Sequence, residues 1–103
     1  MSEILVWVKE PGKTVEQRMI GNDLKSLQEI VGGYIEDYSF ASNFSVICNE
    51  EGKLLGLEPN VVMFGLEFVG TIIIAGMCCD EYDDFPVRHE GHMKALFPML
   101  WED

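Results

Sequence analysis

Residues 24–60 read LKSLQEIVGGYIEDYSFASNFSVICNEEGKLLGLEPN, and the order of elements in this stretch decides the fold. Leu24, Leu27 and Val31, with Ile30 beside them, recur at helical spacing and form one short apolar stripe. Asn22 stands where a side-chain oxygen can cap that helix, with Asp23 at the positive end of its dipole. Gly32 can take the left-handed conformation that closes a helix, and Gly33 lets the chain turn directly into a strand. In residues 34–40 the parity of a strand puts Tyr34, Glu36, Tyr38 and Phe40 on one face and Ile35, Asp37 and Ser39 on the other. Both faces are mixed, so the pattern leaves open which one is buried. Residues 41–43 read as a connector and residues 44–48 as the antiparallel return strand. A turn follows at Asn49-Glu50-Glu51-Gly52, then a short fifth strand at residues 53–57, which Pro59 interrupts because proline cannot donate to a ladder.

Outward from this block, residues 4–8 form a β-branched and aromatic run ended by a Pro11-Gly12 turn, and residues 14–20 return as a second strand. The second strand carries polar and apolar residues on both faces, which suits a sheet edge. Residues 60–68 are ambiguous, whereas residues 69–79 are apolar at both parities and read as a central strand covered on both sides. Met93, Leu96, Phe97, Leu100 and Trp101 have helical spacing, but Pro98 lies inside the stripe, so a helix over residues 89–97 stops or kinks there. The expected architecture is one α+β domain over residues 1–103, with about five mostly antiparallel strands and two helices packed on one face.

The chain carries 18 acidic and 7 basic residues, a formal net charge of −11, while 48% of its residues are hydrophobic. That much apolar content supports a folded core, and that much negative charge opposes nucleic-acid phosphates and anionic membranes. The expected partner is therefore a protein with a basic surface, with no direct nucleic acid and no membrane. The second strand, as an edge, offers a route to a homodimer. No apolar run is long enough to span a bilayer, no export signal is evident, and the cysteines Cys48, Cys78 and Cys79 are odd in number; the expectation is a soluble cytoplasmic protein without disulfides.

Two ordered blocks, LQEIVGGYIE at residues 27–36 and ICNEEGKLLGLEPN at residues 47–60, resemble the uncharacterised family of small phage and bacterial proteins known as domain of unknown function 3846. The turn at residues 10–13 and the strand GTIIIAG at residues 70–76 fit the same pattern, so the resemblance covers roughly residues 3–77. It implies a setting on phages or other mobile elements and a small accessory role, and it supplies no catalytic residues to carry over.

Catalytic constellations are missing from the sequence. Cys78, Cys79, His89 and His92 have metal-ligand chemistry, but adjacent cysteines on a strand face opposite ways and the usual two-residue spacer is absent; buried thiols and surface imidazoles are the expectation. His89-Glu90-Gly91-His92 is one residue short of the zinc-protease helix motif, and there is no nucleophile elbow. The reading is a non-enzymatic binding protein without cofactor or metal. Its candidate contact residues are the acidic segment Asp80, Glu81, Asp83 and Asp84, read as a solvated loop, and the aromatics Tyr34, Tyr38 and Phe40. The alternative is a small-molecule binder that holds a nucleotide or metabolite against those aromatics.

Overall fold

The computed structural model describes residues 2–41 and 43–101. In chain order the elements are β1 (Glu3–Lys9), β2 (Glu16–Gly21), α1 (Leu24–Val31), β3 (Ile35–Ala41), β4 (Phe44–Asn49), β5 (Pro59–Met63), β6 (Leu66–Val69), β7 (Ile72–Cys78), β8 (Glu81–Asp83) and α2 (Glu90–Leu96), followed by a 3-10 turn at Pro98–Trp101. The main sheet runs β2-β1-β7-β4-β3, with β8 paired to the far end of β7, and every pairing is antiparallel. β5 and β6 form a separate hairpin. The connector expected at residues 41–43 falls partly on Ser42, outside the described residues.

β7 is the central strand that the apolar run predicts, and Ile72, Ile73, Ile74 and Ala75 have no exposed surface. Its alternate side chains feed two cores. Ile73 and Ala75 pack with Ile4, Val6, Val8, Ile20 and Ile47 beneath α1, which contributes Leu27 and Val31. Ile72 and Ile74 pack with Trp7, Val46 and Cys48 on the opposite face, beneath Met63 and Phe68 of the hairpin, Met93 of α2 and Leu100 of the 3-10 turn. The two helices therefore lie on opposite faces of the sheet, not on one. The physical reason is that a strand apolar at both parities needs cover on both sides.

Three local expectations change. Residues 53–57 form no strand, 53–56 being turns, while the ambiguous segment 60–68 supplies most of the β5–β6 hairpin, with Pro59 at its first strand position, where a missing N–H is tolerated. The hairpin is tied down by Asn60, whose Nδ2 donates to the carbonyls of Lys9 at 2.8 Å and Gly70 at 2.7 Å. The cap of α1 is Asp23, not Asn22: Asp23 Oδ1 accepts the Ser26 N–H at 2.8 Å, and Asn22 instead donates to the Tyr82 carbonyl at 3.0 Å. Leu24 of the expected stripe is exposed. Gly32 closes α1 at φ 81°, and α2 ends before Pro98, both as the sequence indicates.

The segment after β8 is stitched to the first hairpin. The Leu5 N–H donates to Asp84 Oδ1 at 2.7 Å, the Phe85 N–H to the Leu5 carbonyl at 2.8 Å, and Trp7 Nε1 to the Val87 carbonyl at 2.9 Å. This route passes so close to β7 that a Cβ placed on Gly76 would lie 2.1 Å from the Asp84 carbonyl oxygen. Gly76→Ala is expected to lower the unfolding free energy in urea by about 2 kcal/mol, because the clash is with backbone and cannot be relieved by a side-chain rotation. An unchanged midpoint would contradict that packing.

The Asp23 carboxyl is held below its ordinary value of 3.8, first by the Ser26 N–H and then by the Ser26 hydroxyl. Its contribution to stability is present above the unfolded-state value and lost as pH falls through the lower folded value. Asp23→Asn keeps a capping acceptor but removes this titration, so below about pH 4 the variant should lose less stability than the parent protein, as read from acid-dependent unfolding midpoints.

Candidate functional site

The sequence candidates fall on two separate surfaces. On the α1 side, β7 turns into β8 through Cys79 and Asp80, both in the left-handed region at φ 55° and 65°. That is the geometry of a tight hairpin turn, which glycine or asparagine usually fills. The segment expected to be a solvated loop is thus an ordered hairpin, with Asp80, Glu81 and Asp83 exposed on it. Tyr82 points the other way, packs against the α1-side core and donates its hydroxyl to the carboxylate of Asp37 on β3. Burial, and then that bond, push the Tyr82 phenol up, so it remains a donor at neutral pH. Asp80, Glu81 and Tyr82 share a depression of about 400 Å³ with Asp23, Leu24 and Ile35. Asp84 belongs to the framework instead, bonded to the Leu5 N–H and ion-paired with Arg88 at 2.9 Å.

On the opposite face Tyr38 and Phe40 lie side by side, with ring centroids 6.4 Å apart and planes 15° apart. Phe40 stacks on Phe64 at 4.4 Å, and Phe64 meets Phe97 at 6.1 Å, so β3, the hairpin tip and the end of α2 share an aromatic cluster. Phe64 holds φ 53° in its turn, an uncommon conformation for a bulky residue, and stays 56% exposed despite these contacts. Tyr34 does not join them; it precedes β3 and is exposed. Sequence reasoning missed Phe64 because residues 60–68 were ambiguous, although Val61 and Met63 in and Val62 out, around Phe64-Gly65, are the alternation of a hairpin.

Beside this cluster a cleft of about 200 Å³ opens between β3, the turn after β4 and β6. The Tyr38 hydroxyl donates to Glu36 Oε1 inside it, and Phe68 meets the Tyr38 ring edge-on, 5.6 Å away at 84°. That hydrogen bond, with burial and the Glu36 charge, pushes the Tyr38 phenol up to about 12. Cys48 pairs across the strands with Glu36, and burial, followed by the Glu36 and Asp37 charges, pushes its thiol up to about 11. Both groups are neutral at neutral pH, and Cys48 is a poor nucleophile there.

The other thiols contradict the expectation of burial. Cys78 and Cys79 are exposed, and Cys78 Sγ lies 3.7 Å from Cys79 Sγ, because the turn at Cys79 breaks the strand alternation that would have separated them. Among the described residues no three His, Cys, Asp or Glu side chains gather as a metal site. In a Cys78→Ser, Cys79→Ser variant, the remaining Cys48 is expected to react with a thiol reagent at least about tenfold more slowly in the native state than in denaturant; equal rates would contradict its burial.

No curated protein and no solved structure matches the chain. A family profile described as a domain of unknown function, DUF3846, matches residues 3–96. The match runs past the stretch that the sequence blocks cover and takes in β8 and α2, so the acidic hairpin and α2 lie within the family domain, while the 3-10 turn at Pro98–Trp101 lies beyond the matched residues. With nearly the whole of the described fold inside that match, the chain belongs to the DUF3846 family.

Proposed function

We propose that this protein is a non-catalytic binding module that engages a basic protein surface through the β7–β8 hairpin. The observation that carries the reading is the state of its carboxylates. Asp80, Glu81 and Asp83 are exposed on an ordered hairpin, and among the described residues none of them is ion-paired, since Arg88 is taken by Asp84. An ordered hairpin presents charge at lower entropic cost than a loop that must be fixed on binding. Asp23 lines the same depression as Asp80 and Glu81, and a net charge of −11 adds long-range attraction for a basic partner.

The proposal includes a cytoplasmic setting and, following the family resemblance, a small accessory role on a phage or other mobile element, for example against a host protein that handles nucleic acid. No described helix is long and apolar enough to cross a membrane, which is compatible with that setting. The framework role of Asp84 removes it from the contact set. The nucleotide form of the small-molecule alternative loses ground, because Glu36, Glu50, Glu51 and Glu67 line the cleft beside the aromatics.

The test is affinity capture with the parent chain and an Asp80→Asn, Glu81→Gln, Asp83→Asn variant, across a salt series. Basic partners should be retained by the parent at low salt, lost by the variant, and released as salt approaches about 1 M, where the screening length falls to about 3 Å. Retention that is indifferent to both salt and the three substitutions would sink the proposal.

A further inference from the structure

We propose that the adjacent thiols of Cys78 and Cys79 form a chelating site for a monosubstituted trivalent arsenical, a neutral thiophilic ligand with two exchangeable hydroxyls. The site uses the sulfurs of the β7–β8 hairpin and none of its carboxylates, so it stands apart from the protein contact. Cys79 and Asp80 are the two residues of the turn, both at positive φ, and Cys78 pairs with Glu81 across it. This turn cancels the strand alternation and brings the two exposed Sγ atoms within 3.7 Å of each other.

Three features select the ligand, and the first is separation. The two Cα atoms, joined by a trans peptide, are about 3.8 Å apart, below the roughly 4.4–6.8 Å of ordinary disulfides. Closing a disulfide would also draw the sulfurs from 3.7 Å to about 2.05 Å. One bridging atom with bonds of about 2.3 Å, at angles between a right angle and the tetrahedral value, sets two sulfurs roughly 3.3–3.8 Å apart. Such an atom fits the pair as it stands. The second feature is ligand number. Among the described residues no three His, Cys, Asp or Glu side chains gather, so a four-coordinate zinc ion would lack its set, whereas a monosubstituted arsenical needs two sulfurs only.

The third feature is charge. Asp80, Glu81 and Asp83 are exposed on the same hairpin. The Cys78 thiol is held above its ordinary value, first by its hydrogen bond to Cys79, then by the Cys79 charge, with Asp83 and Glu81 adding to both. A thiol kept protonated exchanges slowly with disulfides, and the carboxylates repel anionic glutathione disulfide, so the pair stays reduced. A neutral arsenical is not repelled. In the reaction each thiol gives its proton to a leaving hydroxyl: two S–H and two As–O bonds break, two As–S bonds form, and two waters leave. Arsenic stays trivalent and sulfur is not oxidised, so no oxidant or reductant is needed. A depression of about 440 Å³ beside both cysteines, lined also by Ser2, Ile4, Asn22 and Tyr82, leaves room for the organic substituent.

The test is intact-mass and thermal-unfolding measurement of the whole chain with phenylarsine oxide, which hydrates in water to phenylarsonous acid. One phenylarsenic unit should bind per chain, survive excess monothiol and leave on addition of 2,3-dimercaptopropanol. Cys78→Ser and Cys79→Ser, both at exposed positions, should each weaken uptake at least about a hundredfold, because the second As–S bond forms within one molecule. The double variant, whose remaining thiol is the buried Cys48, should take up none. The melting temperature of the parent chain should rise with arsenical concentration, since the folded turn holds the sulfurs together and the unfolded chain does not. Glutathione disulfide should leave both thiols free, as read by alkylation and peptide mapping. No adduct, an adduct kept by both serine variants, an unchanged or lowered melting temperature, or a Cys78–Cys79 disulfide formed in preference would each overturn the site.

Discussion

Ile72, Ile73, Ile74 and Ala75 run consecutively through the middle of the sheet with no solvent exposure, and a strand of this kind must be covered on both faces. The chain meets that requirement with unlike material. One face receives a single amphipathic helix, α1, whose Leu27 and Val31 reach the side chains of β1, β4 and β7. The other receives the β5–β6 hairpin, α2 and the 3-10 turn together, with Met63, Phe68, Met93 and Leu100 as their buried contributions. Without two-sided cover, burial of the four β7 residues would lose its main driving force, and the element order would have no reason to return over the sheet as it does.

The return of the C-terminal segment is set by backbone pairing more than by helix propensity. β8 continues the edge that β1 leaves open on β7, and the chain then crosses β1 with hydrogen bonds at Leu5 and Trp7 before reaching α2. Farther on, the Val15 N–H donates to the Leu100 carbonyl at 3.1 Å, and Trp101 meets Trp7 edge-on at 6.0 Å. α2 is only 7 residues long, too short to stand alone, so it depends on Met93 being buried beneath it and on these anchors at either end. The acidic hairpin is held by the same framework, through Asp84 on one side and the Tyr82 hydroxyl on the other.

Negative charge is therefore displayed in two different physical settings. On the hairpin the carboxylates are exposed and suited to long-range attraction that salt weakens. In the cleft, Glu36 is half-buried beside a phenol and a thiol, where charge acts at short range. The separation follows from strand parity. Asp37 and Glu36 are neighbours in β3, yet one takes the Tyr82 hydroxyl on the α1 face and the other the Tyr38 hydroxyl on the face of the hairpin.

The sequence alone determined the local elements that rest on local chemistry. Gly32 ends α1 because only a residue without Cβ takes φ 81° freely; Pro98 ends α2 because it lacks an N–H; and the double-parity apolar run makes β7 central. It also carried the family, through two ordered blocks that lie within the matched residues 3–96. Tertiary structure alone decided what depends on partners far along the chain. Which helix covers which face, the pairing of β8 with β7, the escape of Tyr34 from the aromatic cluster and the exposure of Cys78 and Cys79 are all set by such contacts. Parity assigns side chains to opposite faces of a strand, but only the packed sheet determines what lies over each face.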